Sequence, residues 1–151
     1  MLAVLFSLVV SQAPDAGVPP VRTVVVLDVS AEDAIYGDES RALCDEVVEV
    51  FVKAGFSARR VEEDELPRGG CRFGPCLEKV AKGSDVLVTL DAVELDKSKT
   101  GVATTALAGR TGMPLAGGRY HVTPKGKRPA KELTAFAAKV LAAFAPRSIK
   151  K

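Results

Sequence analysis

The chain has 151 residues, of which 47% are hydrophobic and 26% are charged, and its formal net charge at pH 7 is +2. This length and composition are typical of one globular domain with a single buried core. The small net charge, the 5% aromatic content and the lack of tryptophan argue against a nucleic-acid-binding surface, which needs concentrated positive charge and stacking side chains.

The first residues differ from the rest of the chain. Residues 1–10, MLAVLFSLVV, are largely apolar and uncharged, and residues 11–20, SQAPDAGVPP, are small, polar and rich in proline. Ten apolar residues are too few to span a bilayer but suit a secretory signal, so we predict a signal peptide over residues 1–13 and a linker over 14–22. No basic residue precedes the apolar run, which leaves a buried strand or a misassigned start as alternatives. We expect no lipid anchor and, after signal removal, no transmembrane helix.

The remaining sequence predicts eight elements in the order β-α-β-α-β-β-β-α. The first strand is rich in β-branched residues and is expected to be buried on both faces, which is typical of a parallel or mixed sheet. Helical spacing of apolar residues, with glycine or proline at the ends, predicts the helices. The predicted ranges are 23–30, 39–54, 56–61, 75–82, 85–95, 102–109, 119–123 and 131–145. Two helical crossovers and a meander predict a single α/β (α+β) domain over 23–146, with helices packed on a mixed central sheet, and a basic tail over 147–151.

Cys71 and Cys76 are separated by four residues, and Pro75 marks the start of a helix. In an exported protein such a pair is usually a disulfide, which here would stabilise the fold by about 2 kcal/mol. The alternatives are a redox site, since a helix amino terminus lowers a thiol pKa, a zinc site, or unpaired thiols. The redox signature has two intervening residues and zinc lacks further ligands, so we expect a disulfide and neither a metal nor another cofactor.

Three single residues are weaker site candidates. Cys44 lies among apolar positions of the first helix and is expected in the core, with an intermolecular bridge as the alternative. His121, the only histidine, has no nucleophile motif beside it and is expected to be structural. Asp28 ends the first strand, where open α/β sheets place ligand-binding residues, so it is a weak candidate for a ligand contact, a nucleophile or a Mg²⁺ contact. The following residues, 30–33, fit a helix-capping box better, and we expect no catalytic residue.

Two further stretches invite a binding role. The glycine-rich run over residues 109–118 lacks both phosphate-binding spacings and is predicted to form turns. Basic residues accumulate after it, and four of them form a patch that could dock an anionic partner, such as a membrane surface, a cell-wall polymer or an acidic protein. The residues of this patch are Lys125, Lys127, Arg128 and Lys131. The alternative is a solvated loop.

The stretch CRFGPCLEKVAKGSDVLVTLDAVEL, followed by TTALAGRTGMPLAGGRYHV, resembles exported proteins of myxobacteria and related deltaproteobacteria. The arrangement of a cysteine pair, a short helix, a strand and a hairpin with a TG turn is similar to the amino-terminal domain of TolB and to CsgG- and LpoB-like envelope proteins. The positions that carry the resemblance are Cys71, Cys76, Leu77, Val80, Gly83, Asp85, Val86, Val88, Thr111 and Gly112. Gly109 and Arg110 stand where those proteins have an acidic residue. The resemblance implies a binding or assembly role without catalysis.

The sequence therefore predicts an exported, periplasmic or extracellular, non-enzymatic protein that binds or helps assemble another envelope component. We expect a protein or cell-envelope partner and no nucleic acid. Two alternatives stay open. One is a thiol–disulfide redox protein that uses Cys71 and Cys76, and the other is a small-ligand or nucleotide-binding domain with its site near Asp28.

Overall fold

A computed structural model of the chain describes residues 20–30, 38–72, 74–96, 99–122 and 130–145. For Glu39, residues 93–96, 99 and 100, Val122 and Ala130 it describes the backbone alone. A short 3-10 turn follows the second strand at Glu63–Glu65. The strands and helices are β1 Thr23–Asp28, α1 Asp38–Lys53, β2 Ser57–Arg60, α2 Pro75–Ala81, β3 Val86–Asp96, β4 Lys99–Ala108, β5 Pro114–Val122 and α3 Ala130–Ala142.

The strands form one mixed sheet in the order β2-β1-β3-β4-β5. β1 pairs in parallel with both β2 and β3, whereas β3, β4 and β5 form an antiparallel meander. This confirms the predicted single α/β domain, its element order and its mixed sheet. Because β1, β2, β3 and β5 all run in one direction, they begin at a shared edge, called the amino edge below, and end at the carboxyl edge.

The helices cover both faces of the sheet. α1 and α3 pack on one face and contact each other, and the Phe51 ring of α1 meets Phe56 and Phe136 edge-on at centroid distances of 5.3 and 5.9 Å. The crossovers through α1 and α2 traverse the sheet in opposite directions, and since such crossovers are right-handed, α2 lies on the opposite face. The core is therefore built in two layers around β1, whose apolar run from Val24 to Leu27 is buried as predicted.

The hairpin strands begin earlier than predicted. β4 begins at Lys99 and β5 at Pro114, whereas the sequence predicted starts at residues 102 and 119. The glycine-rich run was expected to turn throughout, yet the turn closes by residue 113 and the last two glycines lie inside β5. Gly118 belongs there for a packing reason, because a Cβ at this position would lie 2.8 Å from Thr104 Oγ1 and 3.4 Å from the Phe136 ring. The missing side chain lets α3 approach the sheet closely.

At the amino edge, Asp85 joins β1 to β3. Its Oδ2 atom accepts hydrogen bonds from the Thr23 amide at 2.8 Å and the Thr23 hydroxyl at 3.1 Å, and its own amide donates to the Thr23 carbonyl at 3.0 Å. The Thr23 amide, above all, holds the pKa of the Asp85 carboxyl below its ordinary value. Arg22 contributes a weaker contact at 3.5 Å.

The turn between β4 and β5 lies against this same junction. The Gly109 amide donates to the Asp85 carbonyl at 2.8 Å, and the turn closes through bonds from the Gly112 amide to the Ala108 carbonyl and from the Ala108 amide to the Met113 carbonyl. A Cβ at Gly109 would lie only 2.0 Å from the Ser84 carbonyl oxygen. Only glycine allows this approach, since the opposing atom is backbone and cannot rotate away.

We predict that Gly109→Ala lowers the free energy of unfolding by about 1–3 kcal/mol, because the added methyl group forces the turn away from residues 84 and 85. Gly117→Ala is the matched control, since a Cβ there would meet nothing closer than the Thr104 carbonyl oxygen at 3.8 Å. Urea unfolding followed by circular dichroism measures both. Equal stability of the two variants would contradict the close approach.

Candidate functional site

Asp28, the weak ligand candidate, is buried at the end of β1 with a side chain whose two oxygens already have donors. Oδ1 accepts from the Ser30 amide at 2.9 Å and from the Ser30 hydroxyl, and Oδ2 accepts from the Ser40 hydroxyl at 2.5 Å. Ser30 Oγ in turn accepts from the Ala92 amide of β3 at 3.2 Å. The carboxylate thus fastens the end of β1 to the first turn of α1, and to β3 through Ser30.

Ser30 and Ser40 stand on either side of residues 31–37, so one carboxylate holds both ends of this connection. The predicted capping box over residues 30–33 lies partly outside the described residues, because only Ser30 is described. Nothing in the sequence pointed to Ser40 as the second partner of Asp28. Its contact depends on how α1 returns across β1, which is a tertiary feature.

Cys44 of α1 lies next to Asp28, the last residue of β1, and is completely buried. Burial, and secondarily the Asp28 carboxylate, raise the pKa of its thiol to about 12, so it stays protonated at neutral pH. Tyr120 of β5 is also buried, and burial raises its pKa above the ordinary value, while its hydroxyl has no hydrogen-bond partner among the described residues. His121, by contrast, is exposed. Asp28, Cys44 and Tyr120 are therefore buried polar side chains of the core and do not form an open site.

Cys71 and Cys76 are joined by a disulfide, with Cα atoms 5.6 Å apart, a usual separation for such a bond. The bond closes the loop that leads into α2, and the Cys71 side chain is buried in the core. Between the cysteines, the Arg72 Nε atom donates to the Val29 carbonyl at 2.9 Å. The loop is therefore fastened twice, once to the start of α2 and once to the end of β1.

A groove of about 510 Å³ lies between α2 and the β4–β5 turn. Its apolar lining comes from three elements, namely Leu77 and Ala81 of α2, Leu87 of β3, and Leu107 and Ala108 of β4. The turn residues Gly109, Arg110, Thr111 and Gly112 close one end. Leu77 and Leu107 are only partly buried, so the groove exposes apolar surface to an approaching chain.

The groove brings together residues that are far apart in the sequence. Leu77, Gly83, Thr111 and Gly112 all line it, and these four are among the positions that carry the resemblance to envelope proteins. No sequence pattern indicates that these residues share one surface, because their proximity depends on the pairing of β3 with β4 and on the crossover through α2. Leu87 and Leu107, which pair across β3 and β4, were not singled out at all.

The rim of the groove carries more positive than negative charge. Lys82 and Arg110 are exposed, and neither forms an ion pair within the part of the chain that the structure describes. Glu78 is the acidic residue on the α2 side. The arrangement can receive an apolar side chain with an acidic group beside it.

The predicted basic patch is not assembled by the described residues. Lys125, Lys127 and Arg128 lie outside them, as do the predicted signal peptide and the basic tail, and Lys131 is exposed near the start of α3. The patch therefore stays a prediction. Among the described helices, none is both long enough and apolar enough to cross a bilayer.

No protein-family model matches the chain, and no curated protein sequence does. Similar solved structures include a PelC dodecamer from Paraburkholderia phytofirmans, at 14% identity and a TM-score of 0.46, covering 82% of this chain and 88% of that one. Lipoprotein GNA1162 from Neisseria meningitidis matches at 13% identity and a TM-score of 0.44, over 85% of this chain and 99% of that one. The LpoB C-terminal domain from Salmonella enterica matches at 10% identity and a TM-score of 0.41, over 70% and 86%.

The solved structures that are similar to this chain thus include a bacterial lipoprotein and an LpoB domain. The myxobacterial affinity and the likeness to TolB and CsgG stay predictions.

We predict that Asp28→Asn lowers the free energy of unfolding by about 1–3 kcal/mol, because an amide cannot accept all the hydrogen bonds from Ser30 and Ser40. Asp91→Asn makes the same change at an exposed position of β3 and should stay within about 0.5 kcal/mol of the unchanged protein. Chemical unfolding of both variants checks this. A stable Asp28→Asn protein would show that the carboxylate is not a structural fastening.

We predict that Cys71→Ser lowers the free energy of unfolding by about 2 kcal/mol, because the short covalent loop no longer restricts the unfolded chain. Cys76→Ser should give the same loss, and a reducing agent should remove the difference between both variants and the unchanged protein. Stability that does not respond to reduction would contradict the bond's structural role. A Cys76 thiol that reacts fast and selectively after mild reduction would favour the redox alternative instead.

Proposed function

We propose that this chain is an exported, non-enzymatic envelope protein that binds a segment of another envelope protein in the groove between α2 and the β4–β5 turn. The observation that carries the proposal is the groove itself, which exposes apolar side chains between a helix fastened by a disulfide and a turn fixed by glycine packing. Two rigid walls favour binding, because little conformational entropy is lost when a partner enters.

Export is supported by two independent features of the chain. Disulfides persist mainly in oxidising compartments outside the cytosol, and Cys71 and Cys76 form one here. The apolar run of residues 1–10 suits a secretory signal, with the mature domain proposed to extend over residues 23–146. Together they favour a periplasmic or extracellular location.

A binding role is supported by the state of the reactive groups. The Asp28 oxygens are engaged by serine hydroxyls and an amide, the Cys44 thiol is buried with a pKa of about 12, and Cys71 is bonded to Cys76. Each group has a structural partner or an environment that suppresses its reactivity. The groove, in contrast, offers shape, apolar surface and charge, and the described residues that line it include no cysteine, serine or histidine.

The chemistry of the groove defines the partner segment. Its volume of about 510 Å³ lies within the usual range of ligand pockets and holds a few side chains of a peptide. Leu77, Leu87 and Leu107 favour an aliphatic or aromatic anchor. Lys82 and Arg110 on the rim favour an acidic neighbour, which would raise the rate of association.

We predict that a photo-reactive amino acid at Glu78 or Thr111 forms one discrete cross-linked product in the native envelope, because both positions border the groove. The same amino acid at exposed Lys131 on α3, on the opposite face, should not form it. Arg110→Glu should abolish the product, whereas Arg119→Glu, which makes the same change at an exposed position of β5, should leave it intact. Fractionation and gel analysis give both the product and its compartment.

Three results would contradict this proposal. The first is an identical set of products from all positions, the second is a product that persists in the Arg110→Glu variant, and the third is recovery of the intact, uncleaved chain from the cytosol. The first two concern the groove, and the third concerns export, so the two parts of the proposal can fail separately.

A further inference from the structure

The exposed large apolar side chains of the described residues are gathered at one end of the molecule. Val21, Val52, Met113 and Leu141 retain 61%, 52%, 63% and 47% of their accessible surface. Most surfaces scatter such residues singly, so their position needs an explanation.

The topology places all four at the amino edge. Val21 directly precedes β1, and Val52 lies in the last turn of α1, which runs back from the carboxyl edge to the start of β2. Met113 closes the turn beside Ala108, which pairs with Val86 at the start of β3. Leu141 lies in the last turn of α3, where it shares a groove with Val21.

The groove shared by Val21 and Leu141 has a volume of about 380 Å³ and lies where the described residues begin and end. Pro20 and Ala145 line it, together with Phe144. The Arg22 guanidinium lies over the Phe144 ring, 4.7 Å from its centroid, so an apolar surface here is bordered by a cation.

Arg22 is not the only cation at this edge among the described residues. Lys82 and Arg110 lie at the same edge, after α2 and in the β4–β5 turn. At the carboxyl edge, by contrast, the acidic residues Glu62, Glu63 and Glu65 form ion pairs with arginines. The amino edge therefore combines exposed apolar side chains with two cations, Lys82 and Arg110, that form no ion pair within the described residues.

We propose that the amino edge docks on an anionic phospholipid surface. Val21, Met113 and Leu141 enter the boundary between headgroups and acyl chains, while the surrounding cations contact lipid phosphates. A second copy of the chain is a poorer occupant, because pairing two amino edges would oppose Lys82 and Arg110 of one copy to those of the other.

Vesicle flotation of the chain without the predicted signal residues 1–13 tests the proposal. It should bind vesicles of phosphatidylglycerol mixed with phosphatidylcholine, bind pure phosphatidylcholine more weakly, and lose binding in high NaCl. Leu141→Asp should weaken binding about fivefold. Ala135→Asp adds the same charge to an exposed position of α3 nearer the carboxyl edge and should leave binding close to unchanged.

A direct contact measurement shows which part of the molecule touches the vesicle. Met113→Cys and Ala135→Cys are each labelled with an environment-sensitive fluorophore, while Cys44 is buried and Cys71 and Cys76 are bonded. Anionic vesicles should shift the emission of the label at 113 to the blue and leave that at 135 unchanged. Equal responses at both positions, or equal binding of Leu141→Asp and Ala135→Asp, would overturn the proposal. A cross-linked protein partner at position 113, with no spectral shift, would assign the edge to a protein instead.

Discussion

The burial of β1 on both faces is the constraint on which the rest of the structure depends. Val24 to Leu27 point alternately to the two sides of the sheet, and all are buried. Apolar residues on both sides need cover on both sides, and a single helix cannot supply it. α1 and α3 cover one face and α2 covers the other, so the chain must cross from β2 past β1 to β3. The disulfide loop lies on that crossing.

The unequal cover of the two faces accounts for the exposed features. α1 and α3 together span the sheet from β2 to β5, whereas α2 has only seven residues and reaches β3. The part of β4 beside it therefore keeps Leu107 partly exposed and leaves a groove. Because every helix runs against β1, each helix ends at the amino edge, and the last turns of α1 and α3 bring Val52 and Leu141 there. One topological rule thus explains both surfaces.

Local patterns were enough to predict the elements and their order, since the β-branched run of β1 and most of the apolar spacing of α1 and α3 match their burial. Leu141 is the exception, because it was predicted to face the core and is exposed. The predicted start of β5 was wrong because Gly117 and Gly118 were interpreted as turn residues. Gly118 lies inside the strand because the Phe136 ring of α3 needs the space beside it, and the sequence pattern does not reveal that neighbour. The bonds of Asp28 with Ser40 and of Arg72 with Val29 span 12 and 43 residues. Contacts of that range, like the groove formed by Leu77 and Thr111, follow from tertiary packing and leave no periodic signal.

The buried position of Cys44 also has a consequence for how the chain is oxidised. An unfolded chain with three thiols can form three different bonds, and two of them involve Cys44. Loop closure costs more entropy as the loop lengthens, so the pair closest in sequence, Cys71 and Cys76, is the easiest to close. Folding of α1 onto β1 then removes Cys44 from solvent and suppresses its thiolate. The spacing of the cysteines along the chain and the burial of Cys44 therefore both favour the Cys71–Cys76 bond over the two bonds that would involve Cys44.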